Sequence, residues 1–251
     1  MRLKSIHNWK QFGKEDPYYG VLSEEKYKSR NITEEGLSDF FTSGESFVRE
    51  TEASVLQLFG RSLANCSILD FGCGVGRLAI PFAHYSSQNV LGLDVSPDII
   101  EKAAEHKQAL NISNLELRSF DGITLPDLPK FDFVNSYIVF QHIEPALGFP
   151  LLRQLLDLLE EGGIMQVQIT YGHHLPPIKY WNFFLRGKFT PYNYIYSSIK
   201  NGRLGAEPVM QMNHYPPRKL FDLFSEYSRS VHVEFTDHAG HLGAFYRLIK
   251  D

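Results

Sequence analysis

Ile68-Leu-Asp-Phe-Gly-Cys-Gly-Val-Gly-Arg-Leu-Ala-Ile-Pro81 decides how the chain is read. A short apolar run ends in three glycines at alternate positions, Gly72, Gly74 and Gly76, and a helical segment follows. Without Cβ atoms such a turn brings backbone N–H groups against a ligand where a strand gives way to a helix. Asp70 stands two residues before the first glycine. Asp94 closes the next apolar run, Asn89-Val-Leu-Gly-Leu-Asp94, and a carboxylate about 20 residues beyond such a turn is the expected partner of ribose hydroxyls. The spacing is G-x-G-x-G rather than the G-x-G-x-x-G of a dinucleotide site, which ranks an NAD-type cofactor low.

Outward from this turn, strands and helices alternate. Strands are expected at 66–71, 89–94, 115–119, 131–136 and 164–169, with two more at 231–235 and 244–249. Between them fall a helix to about His84, one capped by Ser96 with Pro97 at its first position, a leucine-rich one over 147–160 ended by Gly162-Gly163, and one over 217–227. Ser43 is read as the cap of an earlier helix running to Gly60. This alternation predicts an α/β fold, a mostly parallel sheet with helices on both faces. Two segments fall outside it: an irregular N-terminal arm with short helices, 1–43, and an insertion, 171–215, within the domain 44–251. The insertion far exceeds the usual connection of about 2–6 residues, a length typical of caps and binding loops.

Composition sets the outer bounds. With 251 residues, 43% hydrophobic and 22% charged, the chain has ordinary globular composition. A net charge of −4 carries no overall footprint for nucleic acid. The two cysteines, Cys66 and Cys73, flank a strand of about 16 Å and are expected to stay reduced. No run of about 18 apolar residues predicts a membrane span. The first twenty residues lack the apolar core of a signal peptide, so a soluble cytoplasmic protein is expected.

The glycine turn with its preceding acid resembles motif I of the class I S-adenosylmethionine-dependent methyltransferases. The resemblance continues through Asp94, Phe120-Asp121-Gly122, Asn135-Ser-Tyr-Ile-Val-Phe-Gln-His-Ile143 and Glu161-Gly-Gly163. It covers about residues 66–170 firmly and the last strands loosely. It implies a Rossmann-like seven-stranded sheet, S-adenosylmethionine as cofactor and S-adenosylhomocysteine as product. Gly72, Gly74 and Gly76 would then line the methionine part, with Asp70 near its amino group and Cys73 and Arg77 in the same turn. Asp94, with Val95 beside it, would take the ribose hydroxyls. Asp121 would meet the adenine amino group between Phe120 and Gly122, and Ser136 and Tyr137 would flank the sulfonium. The arm, through Trp9, Asp16-Pro-Tyr-Tyr19 and Ser43-Gly-Glu45, is similar to that of a group of bacterial members, which makes Tyr18 and Tyr19 candidate substrate contacts.

Methyl transfer is an in-line displacement, so the protein mainly aligns the acceptor and excludes water. A base is needed only for a protonated acceptor, and His142 is the candidate, with His173 and His174 after the fifth strand. Cys66 and Cys73 both lie in or beside motif I, which argues against cysteine attack on a pyrimidine. Asn135-Ser-Tyr-Ile departs from the pattern of amino-directed DNA methyltransferases. Gln141 stands where metal-dependent quinone O-methyltransferases carry glutamate, so no metal is expected.

In the insertion, Tyr180, Trp181, Phe183, Phe184, Phe189, Tyr192, Tyr194 and Tyr196 crowd together. Lys179, Arg186, Lys188, Lys200 and Arg203 face only Glu207 there, five basic residues against one acidic, a net +4. This suits an anionic or ring-bearing small molecule held by residues such as Trp181 and Tyr194. Single-stranded nucleic acid and an interface between two copies are the competing uses. The expected acceptor is a small molecule methylated on oxygen or nitrogen. The alternatives are RNA or protein as acceptor, and a cofactor-binding protein that transfers nothing.

Overall fold

The computed structural model describes residues 2–201, 204–205 and 208–251, except for the side chains of 2–5, 179, 180, 183 and 201. Arg203 and Glu207, and the side chains of Lys179, Tyr180 and Phe183, therefore lie outside the described residues. Seven strands form one sheet: β1 (Ile68–Phe71), β2 (Val90–Asp94), β3 (Leu115–Ser119), β4 (Phe131–Ser136), β5 (Leu159–His173), β6 (Val231–His238) and β7 (His241–Ile249). Their order is β3-β2-β1-β4-β5-β7-β6. The first five run parallel, and β7 is antiparallel to both neighbours. The expected mostly parallel seven-stranded α/β sheet is what forms. β1 is buried at every position, while edge strand β3 buries mainly Leu115, as a central and an edge strand should.

The arm is more helical than expected. It holds α1 (Arg2–Glu15), α2 (Pro17–Val21) and the start of α3 (Glu34–Phe59). Thr33 caps α3, its hydroxyl accepting the Gly36 N–H, and Gly60 ends it in the left-handed region. Ser43 therefore lies mid-helix rather than at its start, donating to the Phe40 carbonyl. Gly44 sits where α3 meets the motif I turn: a Cβ there would come within 2.0 Å of the Arg77 carbonyl oxygen. The close approach outweighs the roughly 1 kcal/mol that a mid-helix glycine costs.

Helices α4 (Ala79–Tyr85), α5 (Pro97–Ala109) and α6 (Pro145–Asp157) connect the parallel strands, and α9 (Pro217–Phe224) precedes β6. Ser96 caps α5 as expected. Gly162-Gly163 do not end α6. They lie within β5, which begins at Leu159 and shifts register against β4 between Phe131 and Phe133. The insertion contributes α7 (Pro177–Lys188) and α8 (Thr190–Asn201), and residues 208–216, without regular secondary structure, form the return to α9. Both cysteines are buried and free. Among the described residues no helix is long and apolar enough to cross a membrane.

Candidate active site

At the carboxyl ends of β1, β2 and β4 the sheet opens into a cavity enclosing about 960 Å³ of empty space, counting its mouth. Such a crevice, where strand order reverses beside β1, is where open α/β sheets bind ligands. Its floor is the glycine turn, with Gly72 and Gly74 both at positive φ. A Cβ on Gly74 would stand 2.4 Å from Val21, and one on Gly72 would stand 2.3 Å from Val139. Both positions combine a left-handed backbone with a wall that has no room for a side chain.

Asp94 reaches across from β2. Its Oδ2 accepts the Gly74 N–H at 3.1 Å, and its Oδ1 accepts the Ser96 N–H at 3.0 Å. Burial raises its pKa, against those backbone donors, which lower it. Val95, Phe120 and Gly122 continue the same wall. Asp121 does not join them. It is exposed, and its Oδ1 accepts the Ile123 and Thr124 N–H groups of its own turn.

Asp70 lies beneath the glycine turn, 2% exposed. Asn135 donates to its Oδ1 at 2.8 Å, while the buried Oδ2 has no hydrogen-bond partner among the described residues. Burial pushes its carboxyl up to about 6, although Asn135 and the positive charge of Arg77 act the other way. The Asn135 Oδ1 accepts from Gln166 at 3.1 Å, and the Gln166 Oε1 accepts from the Arg247 Nε at 2.6 Å. Arg247 also holds Glu234 at 2.6 Å. A polar ladder thus crosses β1, β4, β5, β7 and β6 on one face. Cys73 is buried in the turn, and its thiol is pushed well up by that burial. Arg77, also buried, donates to the Ser43 hydroxyl and stands over the Tyr137 ring.

After β4 the chain supplies the far wall. Tyr137 is held between Phe47 and Phe245, with ring centroids 4.4 and 5.5 Å away. Ile138 has φ of 59°, uncommon for a β-branched residue, and lines the cavity with Val139. Ser136, just before them, is buried with its hydroxyl unpartnered among the described residues. His142 also lines the cavity. Its Nδ1 donates to the Gln211 carbonyl at 2.7 Å, and its Nε2 accepts from the Gln141 amide at 3.1 Å. Thr170 fixes that amide by donating to its Oε1. Burial lowers the imidazole to about 4, so the ring is neutral across the physiological range.

The arm and the insertion's return form the roof. Ile6 and Trp9 from α1, and Gly20 and Val21 from α2, face the cavity, and the Trp9 ring lies 4.9 Å from that of His142. Asn8 ties the two pieces together by donating to the Val209 carbonyl at 2.9 Å. Gln211, from the return, completes the wall. These roof residues carry no motif, and only Trp9 stood out in sequence. Tyr18 and Tyr19 do not line the cavity. The Tyr18 hydroxyl bonds His106 at 2.7 Å, and the Tyr19 ring lies under Lys28. His173 stands 5.1 Å from His214 at the end of β5, beside His238 and His241. Burial lowers the pKa of His214, His238 and His241. Trp181 and Tyr194 lie on the outer α7–α8 pair, away from the cavity wall. No metal-competent group of three His, Cys, Asp or Glu occurs among the described residues.

The family described as methyltransferase domain matches residues 68–163. The chain is 27% identical over 135 residues to malonyl-[acyl-carrier protein] O-methyltransferase of Herminiimonas arsenicoxydans, covering 50% of this chain and 49% of that protein. It is 33% identical over 101 residues to trans-aconitate 2-methyltransferase of Agrobacterium fabrum, covering 40% and 37%. The chain thus spans half or less of the length of these relatives. Among solved structures, magnesium protoporphyrin IX methyltransferase of Synechocystis PCC 6803 with bound S-adenosylhomocysteine superposes with a TM-score of 0.63 at 15% identity. That match covers 99% of this chain and 98% of that one, so the fold is shared along the whole length, arm included. Residues 68–163, which carry the glycine turn, match the methyltransferase-domain family, and the fold is that of class I S-adenosylmethionine-dependent methyltransferases.

Proposed function

We propose that this protein transfers the methyl group of S-adenosylmethionine to oxygen or nitrogen of a small-molecule acceptor. The observation that carries the acceptor class is the roof. Ile6, Trp9 and Val21 from the arm, and Gln211 from the return, narrow the crevice where a polymer would need an open track. Gly72 and Gly74 form a cradle that a Cβ would fill, and the buried carboxylates of Asp70 and Asp94 suit an ammonium group and a pair of hydroxyls. The cofactor supplies the sulfonium-bound methyl. Asp94 would hold the ribose hydroxyls, Asp70 beneath the turn would attract the amino group, and Tyr137 and Ile138 would wall the methyl side.

His142 serves as a neutral, fixed group rather than as a proton reservoir. Both ring nitrogens are engaged, and burial keeps the ring uncharged. It positions an acceptor against the Trp9 face and excludes water, the main demands of an in-line displacement.

The test is turnover of S-adenosylmethionine to S-adenosylhomocysteine against a panel of hydroxyl- and amine-bearing small molecules, RNA and protein. Small-molecule turnover that falls in Trp9→Ala, with S-adenosylhomocysteine affinity largely kept, is the expected result. Turnover only with RNA or protein would replace the acceptor class. Tight cofactor binding without turnover of any acceptor would favour a binding protein.

A further inference from the structure

Helix α8 is built inside out, and α7 beside it carries exposed apolar side chains. On α8 the residues turned inward are polar: Asn193 is 6% exposed and Ser197 fully buried. The Arg186 Nε of α7 donates to the Asn193 Oδ1 at 3.0 Å, and the Ser197 hydroxyl donates to the same oxygen at 3.3 Å. The residues turned outward are apolar. Ile178 is 81% exposed, Trp181 58%, Ile195 60% and Ile199 79%. The spacings 178/181 on α7 and 192/195/199 on α8 place these side chains in one stripe per helix. A water-soluble helix pair buries such stripes and exposes its asparagines and serines. The inversion suits surroundings less polar than water.

Charge identifies those surroundings. Within 177–201 the chain carries Lys179, Arg186, Lys188 and Lys200 and no acidic residue, although the whole protein has net charge −4. Tryptophan, tyrosine and phenylalanine mixed with lysine and arginine are the composition of helices that lie in a membrane interface. Twelve residues in each helix reach only about 18 Å, well short of a hydrocarbon core of about 30 Å, so the pair lies on a bilayer rather than crossing it.

We propose that the α7–α8 pair is an interfacial anchor that docks this protein on an anionic lipid surface. The pair follows β5 on the same edge of the sheet as the cavity, so docking brings the site to the membrane. This holds whichever acceptor the site takes.

The chain has two tryptophans, Trp9 and Trp181. In a Trp9→Phe variant Trp181 is the sole reporter. Its emission should shift to the blue and strengthen with mixed phosphatidylglycerol–phosphatidylcholine vesicles, and much less with phosphatidylcholine alone. The unmodified protein should co-sediment with the mixed vesicles, so the test stands even if Trp9→Phe fails to fold. Each basic residue near an anionic surface contributes about fivefold in partitioning, so Lys188→Gln should weaken binding by that factor and added salt should weaken it further. Ile178→Asp with Ile199→Asp, both at exposed positions, should abolish co-sedimentation while S-adenosylhomocysteine binding is kept. Failure of the wild type to bind mixed vesicles overturns the proposal, as does binding indifferent to both aspartates. A dimer that Ile178→Asp dissociates, with no vesicle binding, assigns the stripe to a second copy instead and also overturns it.

Discussion

Replacing Asp70 by asparagine should make the protein more stable and a poorer binder of its cofactor. Burial pushes this carboxyl up to about 6 from an ordinary value near 3.9, against the Asn135 hydrogen bond, and its second oxygen has no hydrogen-bond partner among the described residues. A carboxyl whose pKa rises on folding binds its proton more tightly in the native state. Folding is therefore favoured when the group is protonated and loses stability as pH climbs from the unfolded value through the folded one. Two pH units correspond to about 3 kcal/mol, most of it absent near pH 4 and nearly all of it present by about pH 8. Asparagine keeps an oxygen for Asn135, sets its amide at the unpaired position and cannot ionise. Asp70→Asn should thus melt close to the parent near pH 4 and above it near pH 8. At roughly 2–4 °C per kcal/mol for a domain of this size, the gap is of order 6–12 °C. Differential scanning calorimetry across that range measures it, and titration calorimetry with S-adenosylhomocysteine measures the accompanying loss of affinity. A variant destabilised equally at both pH values would refute the reasoning, as would one that binds S-adenosylhomocysteine as tightly as the parent.

Other substitutions test the remaining walls. Asp94→Ala should lower S-adenosylhomocysteine affinity by about 10–150-fold, from charge-assisted hydrogen bonds worth roughly 1.5–3 kcal/mol, and calorimetry with NAD should show no binding. Gly74→Ala puts a Cβ 2.4 Å from Val21 on a left-handed backbone, so the arm should lift and become protease-sensitive, which limited proteolysis reads directly. Because burial lowers His142 to about 4, the pH profile of turnover should show no step near 6.5 that disappears in His142→Gln. The appearance of such a step would mark His142 as a titrating base. Polynucleotide binding should be weak at physiological salt, as a salt-dependent filter assay would show.

The cofactor side was legible because its chemistry is local in sequence. Strand, glycine turn and acid at the end of the next strand follow in fixed order, and β2 and β4 then bring Asp94 and Tyr137 to one crevice, with Asp70 of β1 buried beneath its glycine floor. Asp121 belongs to the same pattern, yet its carboxylate serves its own turn. The roof was less legible because it depends on pairings across long separations. Asn8 meets Val209 and His142 meets Gln211, and nothing in either local stretch announces the other. Ser43 reads as a cap and so hides the true start of α3 at Thr33, while Gly44 beside it lets the helix approach the Arg77 backbone. The insertion's aromatics were evident by composition, but composition does not say which way a helical face points. Asn193 and Ser197 turn inward while Ile195 and Ile199 turn out.

The order of the strands also constrains how the molecule is made. β7 lies between β5 and β6, although it is the last of the seven to be synthesised. Until residues 241–249 leave the ribosome, one edge of β5 has no permanent neighbour, and Arg247 is not there to hold Gln166, Asn135 and, through them, Asp70. At about 5–20 residues per second, roughly four to sixteen seconds pass between the emergence of β5 and that of β7. An exposed strand edge over that interval invites pairing with other chains. A nascent chain stalled before β7 would be a client for chaperones, and it would leave the cofactor cradle without its buried support.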